Sequence, residues 1–185
     1  MKKKIAILGS TGSIGQTLLD IIEKDKKSFE IILLTADKNY KKIFKQAKKF
    51  KVKNIIITNK KIFEKIKKPK NIQIYNSFED LNIIFRKKID YVMSSIVGLD
   101  GLDPTKKIIK FTKKIAIANK ESIICAWNLI KKELNKNKTE FIPVDSEHFS
   151  LWYGLKNSNK EDIEKIFITA SGGPFYKTSL KKFKK

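Results

Sequence analysis

The sequence predicts an α/β protein: a Rossmann-like, doubly wound, mostly parallel sheet, followed by the start of a second α/β domain. Three observations carry this reading. Short apolar runs alternate with segments of helical periodicity along most of the 185 residues. The apolar runs are near-continuous, which suits strands buried on both faces. A glycine-rich turn joins the first strand to the first helix, as in dinucleotide-binding folds.

In chain order, KIAILG (4–9) reads as a buried strand. Ile14, Leu18 and Ile22 then recur at helical spacing. FEIILLTA (29–36) is the second strand, and Ile43, Phe44, Ala47 and Phe50 mark the next helix. NIIIT (54–58) is a third strand, with a helix around Ile62 to Ile66 behind it. NIQIY (71–75) is a short fourth strand, and residues 77–87 read as helix. IDYVMSSIVG (89–98) is a fifth strand with its exit loop, followed by a helix over about 101–112. KIAIA (114–118) is the sixth strand, and Ile123, Trp127, Ile130 and Leu134 mark a longer helix. EFIPV (140–144) is the seventh strand and EKIFITA (164–170) the last. The polar stretch KKELNKNKTE (131–140) is the candidate boundary, giving domains at 1–138 and 139–185.

Composition narrows the function classes. The N-terminus has too short an apolar stretch for a secretory signal, and no run is long enough to span a membrane. A single cysteine, Cys125, excludes an internal disulfide, and its helical apolar setting reads as core. These features predict a soluble, cytoplasmic protein. The formal net charge is +22, so nucleic acid has to be considered. Yet Arg86 is the only arginine, and the lysines are scattered rather than gathered on one stripe. The charge therefore reads as solvated lysine faces with salt-dependent, nonspecific adhesion to polyanions. No specific nucleic acid and no membrane partner is expected.

Five polar motifs stand at the C-terminal ends of predicted strands, the edge where open α/β sheets bind ligands. The first is Gly9, Thr11, Gly12, Ser13, Ile14 and Gly15, spaced G-x-x-G-x-x-G between strand and helix. Glycine lets backbone amides approach a pyrophosphate, and the helix N-terminus favours the anion. The alternative is a tight connecting turn. The second is Asp37, Lys38 and Asn39. Asp37 can accept a ribose 2′-hydroxyl, whereas Lys38 and Asn39 can hold a 2′-phosphate; Asp37 can equally cap the next helix. The third is Asn119, Lys120 and Glu121, in which Lys120 can bind a phosphate or oxyanion and Glu121 can be an ordinary first-turn acid.

The fourth is Asp145, Ser146, Glu147 and His148. In an extended segment Asp145 and Glu147 point the same way and suit Mg²⁺ or Mn²⁺; DSE also reads as a helix N-cap. His148 is the only histidine, so no Ser or Cys triad is available. The fifth is TASGGPF (169–175), where Ser171 and the glycine backbone can form an anion nest or a plain turn. Together the five motifs suggest one cleft for a dinucleotide, a metal and an anionic substrate.

In order and spacing, ILGSTGSIG, SSIVGLDGL, IANKES, PVDSEH and TASGGPF closely resemble the 1-deoxy-D-xylulose 5-phosphate reductoisomerase family. The resemblance runs along essentially the whole chain. It implies an NADPH- and Mg²⁺- or Mn²⁺-dependent enzyme of non-mevalonate isoprenoid synthesis. Such an enzyme rearranges a ketose phosphate and reduces it to 2-C-methyl-D-erythritol 4-phosphate. It implies residues 1–138 as the NADPH-binding domain and 139–185 as the beginning of the catalytic domain.

By the same resemblance Gly9, Thr11, Gly12, Ser13, Ile14 and Gly15 form the cofactor-phosphate turn. Lys38, Asn39, Asn119 and Glu121 are further cofactor contacts. Lys120, Asp145 and Glu147 are implied to be catalytic, and Asp145 and Glu147 to be metal ligands. Lys120, Ser146, Glu147 and Ser171 are implied to touch substrate, and the full-length family member is implied to be a homodimer. Two departures stand out. Asp37 occupies a position where the family often has glycine. Family members are roughly twice as long, and their lid loop, third metal carboxylate and C-terminal helical domain are missing here. Residues 1–185 are therefore expected to bind dinucleotide without turning over alone. The competing readings are a catalytically inactive dinucleotide-binding remnant and, more weakly, a nucleic-acid-binding protein.

Overall fold

Seven strands, each followed in the chain by helical structure, form a parallel sheet in the computed structural model, which describes residues 1–156 and 158–167. The strands are β1 (Lys3–Leu8), β2 (Phe29–Ala36), β3 (Asn54–Ile57), β4 (Gln73–Tyr75), β5 (Ile89–Ser94), β6 (Thr112–Ile117) and β7 (Glu140–Pro143). The helices are α1 (Ser13–Lys24), α2 (Tyr40–Phe50), α3 (Lys60–Lys65), α4 (Leu81–Ile84), α5 (Leu102–Ile108), α6 (Lys120–Asn137) and α7 (Ser146–Leu155). The sheet order is β4-β3-β2-β1-β5-β6-β7, and every pairing is parallel. The chain winds outward from β1 to β4, then returns to add β5 to β7 on the other side. The winding therefore reverses between β1 and β5, where the connections leave a crevice at the C-terminal ends of the strands.

The period-two alternation of buried strands divides the core between the two faces. On β1, Ile5 and Ile7 join a cluster with Leu19 and Ile22 of α1 and Ile43 and Ala47 of α2. Ala6 and Leu8 join the opposite cluster, with Leu81 of α4, Ile108 of α5, and Ile130 and Leu134 of α6. The sheet is thus covered by helices on both sides, as the near-continuous apolar strands require.

Several elements differ from the sequence reading, each for a local reason. The stripe that α1 buries is Gly15, Leu19 and Ile22, and Ile14 is 40% exposed. Gly15 packs so closely on the β1 exit that it fixes the rotation of the helix. The helix expected over 77–87 is a 3₁₀ turn at Phe78–Asp80 and the single turn α4. Phe85 leaves it in extended backbone and packs on Phe111, with ring centroids 5.5 Å apart. The 101–112 helix ends as α5 plus a 3₁₀ turn at Ile109–Phe111. α6 is interrupted at Ala126 (φ −141°, ψ 29°), and Cys125 beside the break is exposed rather than core. Residues 164–167 form no strand, and the remainder of the expected last strand lies outside the described residues.

The chain divides into two compact units, Met1–Val144 and Asp145–Lys185. β7 pairs in register with β6 and lies in the first of these units. Among the described residues, no helix is long and apolar enough to cross a membrane.

Candidate functional site

The site is built on the β1 exit. Gly9 has φ +80°, and a Cβ there would lie 2.8 Å from the Ser95 carbonyl oxygen. A Cβ on Gly15 would lie 2.5 Å from the Gly9 carbonyl oxygen and 2.7 Å from Ser10 Cα. Backbone meets backbone at both places, so only glycine fits. Gly12 differs: a Cβ there would come no nearer than 3.4 Å to any neighbour, an ordinary contact, and φ is −75°. Gly12 is the N-cap of α1, and no side chain caps that helix. The N-caps of α2, α3, α6 and α7 are Asn39, Asn59, Asn119 and Asp145, and each accepts a backbone amide through its side chain; α4 and α5 also lack a side-chain cap, but each continues directly from a 3₁₀ turn. The first turn of α1, at Ser13, Ile14 and Gly15, thus keeps its amides for something else.

Buried polar groups hold the turn in place. The Gly9 amide donates to Thr35 Oγ1 at 2.9 Å, and the Ser10 amide to the Thr35 carbonyl at 2.9 Å. Ser10 Oγ donates to Gln46 Oε1 at 2.8 Å, and Gln46 Nε2 returns a bond to the Ser10 carbonyl at 2.9 Å. Lys42 Nζ donates to the Thr11 carbonyl at 3.0 Å. Gln46 and Lys42 were missed in the sequence. The available signal was a glutamine directly beside the buried α2 stripe of Ile43 and Ala47.

A cleft of about 720 Å³ opens here, lined by Gly9, Thr11, Gly12, Asp37, Thr58 and Ile96 among others. Its size is that of a small-molecule site. Asp37 does not cap α2; Asn39 does, accepting the Lys42 amide at 3.2 Å. Asp37 Oδ1 instead accepts a hydrogen bond from Thr58 Oγ1 at 3.0 Å. Lys38 stands exposed between them.

Asn119 is buried and committed to the protein. Its Nδ2 donates to the Ile96 carbonyl and, at 2.6 Å, to the Gly98 carbonyl. Its Oδ1 accepts the Ser122 amide at 2.8 Å. It therefore clips the loop after β5, one wall of the cleft, to the start of α6. Gly101, also missed in the sequence, makes room for this clip: a Cβ there would lie 2.6 Å from the Ile96 carbonyl oxygen. Lys120 follows as the exposed first residue of α6, with Glu121 half-buried in the first turn.

In the second unit Asp145 begins a helix rather than an extended segment, so the parallel projection of Asp145 and Glu147 expected from strand geometry does not apply. Asp145 Oδ1 accepts the His148 amide at 3.0 Å and lies 2.6 Å from His148 Nδ1. Burial raises the Asp145 pKa, but the hydrogen bonds from the His148 amide and ring outweigh it and hold the carboxyl below its usual 3.8. Glu147 lies in the first turn of α7. Among the described residues, no three His, Cys, Asp or Glu side chains gather in a way that could hold a metal ion. Ser171 lies outside the described residues.

Comparison with known proteins gives one consistent answer. Residues 5–127 match the family described as 1-deoxy-D-xylulose 5-phosphate reductoisomerase, and residues 141–185 match its C-terminal domain family. A 1-deoxy-D-xylulose 5-phosphate reductoisomerase of Pelagibacter ubique is 61% identical over 98% of this chain and 48% of its own length. One from Clostridium tetani is 41% identical over 94% of this chain and 47% of its own length. The chain thus spans about half the length of the curated relatives it matches. Among solved structures, the Zymomonas mobilis reductoisomerase in complex with NADPH superposes with a TM-score of 0.86 at 32% identity, covering 98% of this chain and 49% of that one. A reductoisomerase complex with NADPH, fosmidomycin and magnesium superposes with a TM-score of 0.80 at 30% identity, covering 97% and 48%. By sequence and by fold, the chain belongs to the 1-deoxy-D-xylulose 5-phosphate reductoisomerase family.

Proposed function

We propose that this chain supplies the dinucleotide-binding part, and the beginning of the catalytic part, of a reductoisomerase. That enzyme converts 1-deoxy-D-xylulose 5-phosphate to 2-C-methyl-D-erythritol 4-phosphate with NADPH and Mg²⁺ or Mn²⁺. One observation carries the reading: α1 begins uncapped beside the cleft at the point where the winding reverses. The amides of Ser13, Ile14 and Gly15 are left for pyrophosphate oxygens, and the missing Gly12 side chain lets the ligand approach. The Thr11 and Ser13 hydroxyls add donors. Bound NADPH supplies the hydride; the protein holds and orients it.

We assign Lys120, exposed as the first residue of α6, to an anionic substrate. Asn119 acts as the clip behind that position, with Glu121 as its neighbour on the cofactor side. Asp145 and Glu147 are proposed as metal ligands, with Ser146, Glu147 and Ser171 touching substrate. Two carboxylates would leave the remaining positions of a hard divalent cation to water and substrate oxygens. The metal reading rests on family membership and the magnesium-bound relatives. Family membership likewise supports a homodimer and a cytoplasmic location.

The test is a titration of the 185-residue chain with NADPH, read by nicotinamide fluorescence. Saturable binding supports the reading, and its absence removes it. Substrate-dependent NADPH oxidation is expected to be undetectable with this chain alone, which spans about half the length of the relatives it matches. Steady oxidation would overturn that expectation.

A further inference from the structure

Two carbonyl groups of the glycine turn are held toward α2 by side chains of that helix. The Ser10 carbonyl accepts from Gln46 Nε2 at 2.9 Å, and the Thr11 carbonyl accepts from Lys42 Nζ at 3.0 Å. Lys42 and Gln46 stand four residues apart on α2, so one face of the helix meets the turn. Gln46 is buried, and both of its polar atoms are engaged. Its Nε2 also donates to Gln16 Oε1 at 3.2 Å, and its Oε1 accepts from Ser10 Oγ at 2.8 Å. A carbonyl can only accept, so the Ser10 oxygen fixes which end of the Gln46 amide faces it. The peptide bonds here are trans. In a trans peptide the N–H and the C=O point opposite ways. Holding the Ser10 carbonyl toward α2 therefore sends the Thr11 amide away from that helix, and Thr11 lines the cleft. The next peptide is held at both ends: Lys42 takes the Thr11 carbonyl, and the Gly9 carbonyl accepts the Gly12 amide at 3.1 Å.

We infer that Gln46 and Lys42 are positioning residues for the coenzyme: acting through Ser10 and Thr11, they aim the Thr11 amide at the pyrophosphate and keep both carbonyl oxygens off it. An amide facing a phosphate oxygen donates to it, whereas a carbonyl in the same place repels it. A rotated peptide would thus turn attraction into opposition. The turn cannot hold this arrangement alone, because the flanking Gly9 and Gly12 leave the backbone free to rotate. The two side chains on α2 supply the missing restraint. Thr11 is among the described residues that line the cleft, and Lys42 and Gln46 are not, so their effect passes through the backbone. This rests on the dinucleotide reading above and adds to it the residues outside the turn that make it able to bind.

The experiment measures two dissociation constants for the 185-residue chain and three variants. NADPH is read by nicotinamide fluorescence, and adenosine 2′-monophosphate, which has no pyrophosphate, by displacement of NADPH. Gln46→Met keeps the length of the side chain and removes its amide. Lys42→Met removes the ammonium, and Lys42→Arg keeps a cationic donor. Circular dichroism melting shows which variants fold. Gln46→Met is expected to weaken NADPH binding about tenfold and Lys42→Met about fourfold. Lys42→Arg is expected to stay within about twofold of the unaltered chain, as is adenosine 2′-monophosphate binding in every variant. A merely structural role predicts a lower melting temperature with unchanged NADPH affinity in the folded variants. That result, or an equal loss of both ligands, overturns the assignment of the residue changed while the dinucleotide reading stands. If Gln46→Met does not fold, the half-buried Lys42 carries the test, and unchanged NADPH affinity in Lys42→Met overturns the proposal. If the unaltered chain binds neither ligand, the proposal and the dinucleotide reading both fall.

Discussion

The N-termini of α1 and α6 follow β1 and β6, two strands apart along the same sheet edge, yet they are finished in opposite ways. At α6 the chain closes on itself. Asn119 caps the helix and holds the β5 exit loop, and both of its polar atoms are used within the protein. At α1 a glycine stands at the cap position, and the orphan amides are left without a side-chain partner. Both helices have the same end dipole and the same unsatisfied donors. What differs is who satisfies them. The capped terminus of α6 contributes stability to the chain alone, whereas the start of α1 leaves that interaction to a ligand.

Four changes test this contrast, from the largest expected effect to the smallest. Gly15→Val forces a side chain into the Gly9 and Ser10 backbone and is expected to cost about 4 kcal/mol or more, so the chain melts early or does not fold. Circular dichroism melting checks it. Gly12→Asp has room and suitable backbone angles. It is expected to raise stability by a few tenths of a kcal/mol while weakening NADPH binding about 100-fold, because the new carboxylate takes the amides and repels phosphate. A loss of stability paralleling the loss of binding would break the comparison.

Asn119→Ala is expected to destabilise by about 2 kcal/mol, since it uncaps α6 and strands two loop carbonyls. Urea unfolding gives the value, and a change below about 0.5 kcal/mol would mean the clip is dispensable.

The last change lies at the opposite edge of the sheet. Asp90 accepts from Lys113 Nζ at 2.8 Å and from the Lys4 amide at 2.9 Å. The Lys113 bond, followed by the Lys4 amide, outweighs burial and holds its carboxyl below the usual 3.8. A lowered folded pKa contributes stability that is fully present above the unfolded value and lost as pH falls through the folded one. The melting-temperature gap between the protein and Asp90→Asn is expected to narrow as pH drops from about 6 to about 3. NADPH affinity at neutral pH should be unchanged. An altered affinity would show that the sheet's two edges are coupled.

Much of this architecture was legible in the chain. β2 was bounded correctly, and six other strands were found within a few residues, because buried strands write their apolar runs locally. The glycine turn was legible because three glycines between a strand and a helix have few other uses. Of the α1 stripe read from the sequence, Ile22 is buried and Leu18 packs against the core, whereas Ile14 is exposed and Gly15, in close backbone contact with Gly9 and Ser10, is buried in its place. Cys125 reads as core in the sequence but is exposed in the structure, because periodicity does not register the break at Ala126.

The sequence by itself determined the order of strands and helices, the glycine turn, and the polar residues gathered at one edge of the sheet. These follow from local periodicity and from steric limits carried by single residues. Only the tertiary structure decided which helix ends are closed, that Asn39 rather than Asp37 caps α2, and that Thr58 fixes the Asp37 carboxylate. Thr58 and Asp37 lie 21 residues apart in the chain, and Asn119 and Ile96 lie 23 apart. Hydrogen bonds form between groups brought together by packing, and no local pattern of hydrophobicity encodes which polar atom will find which partner.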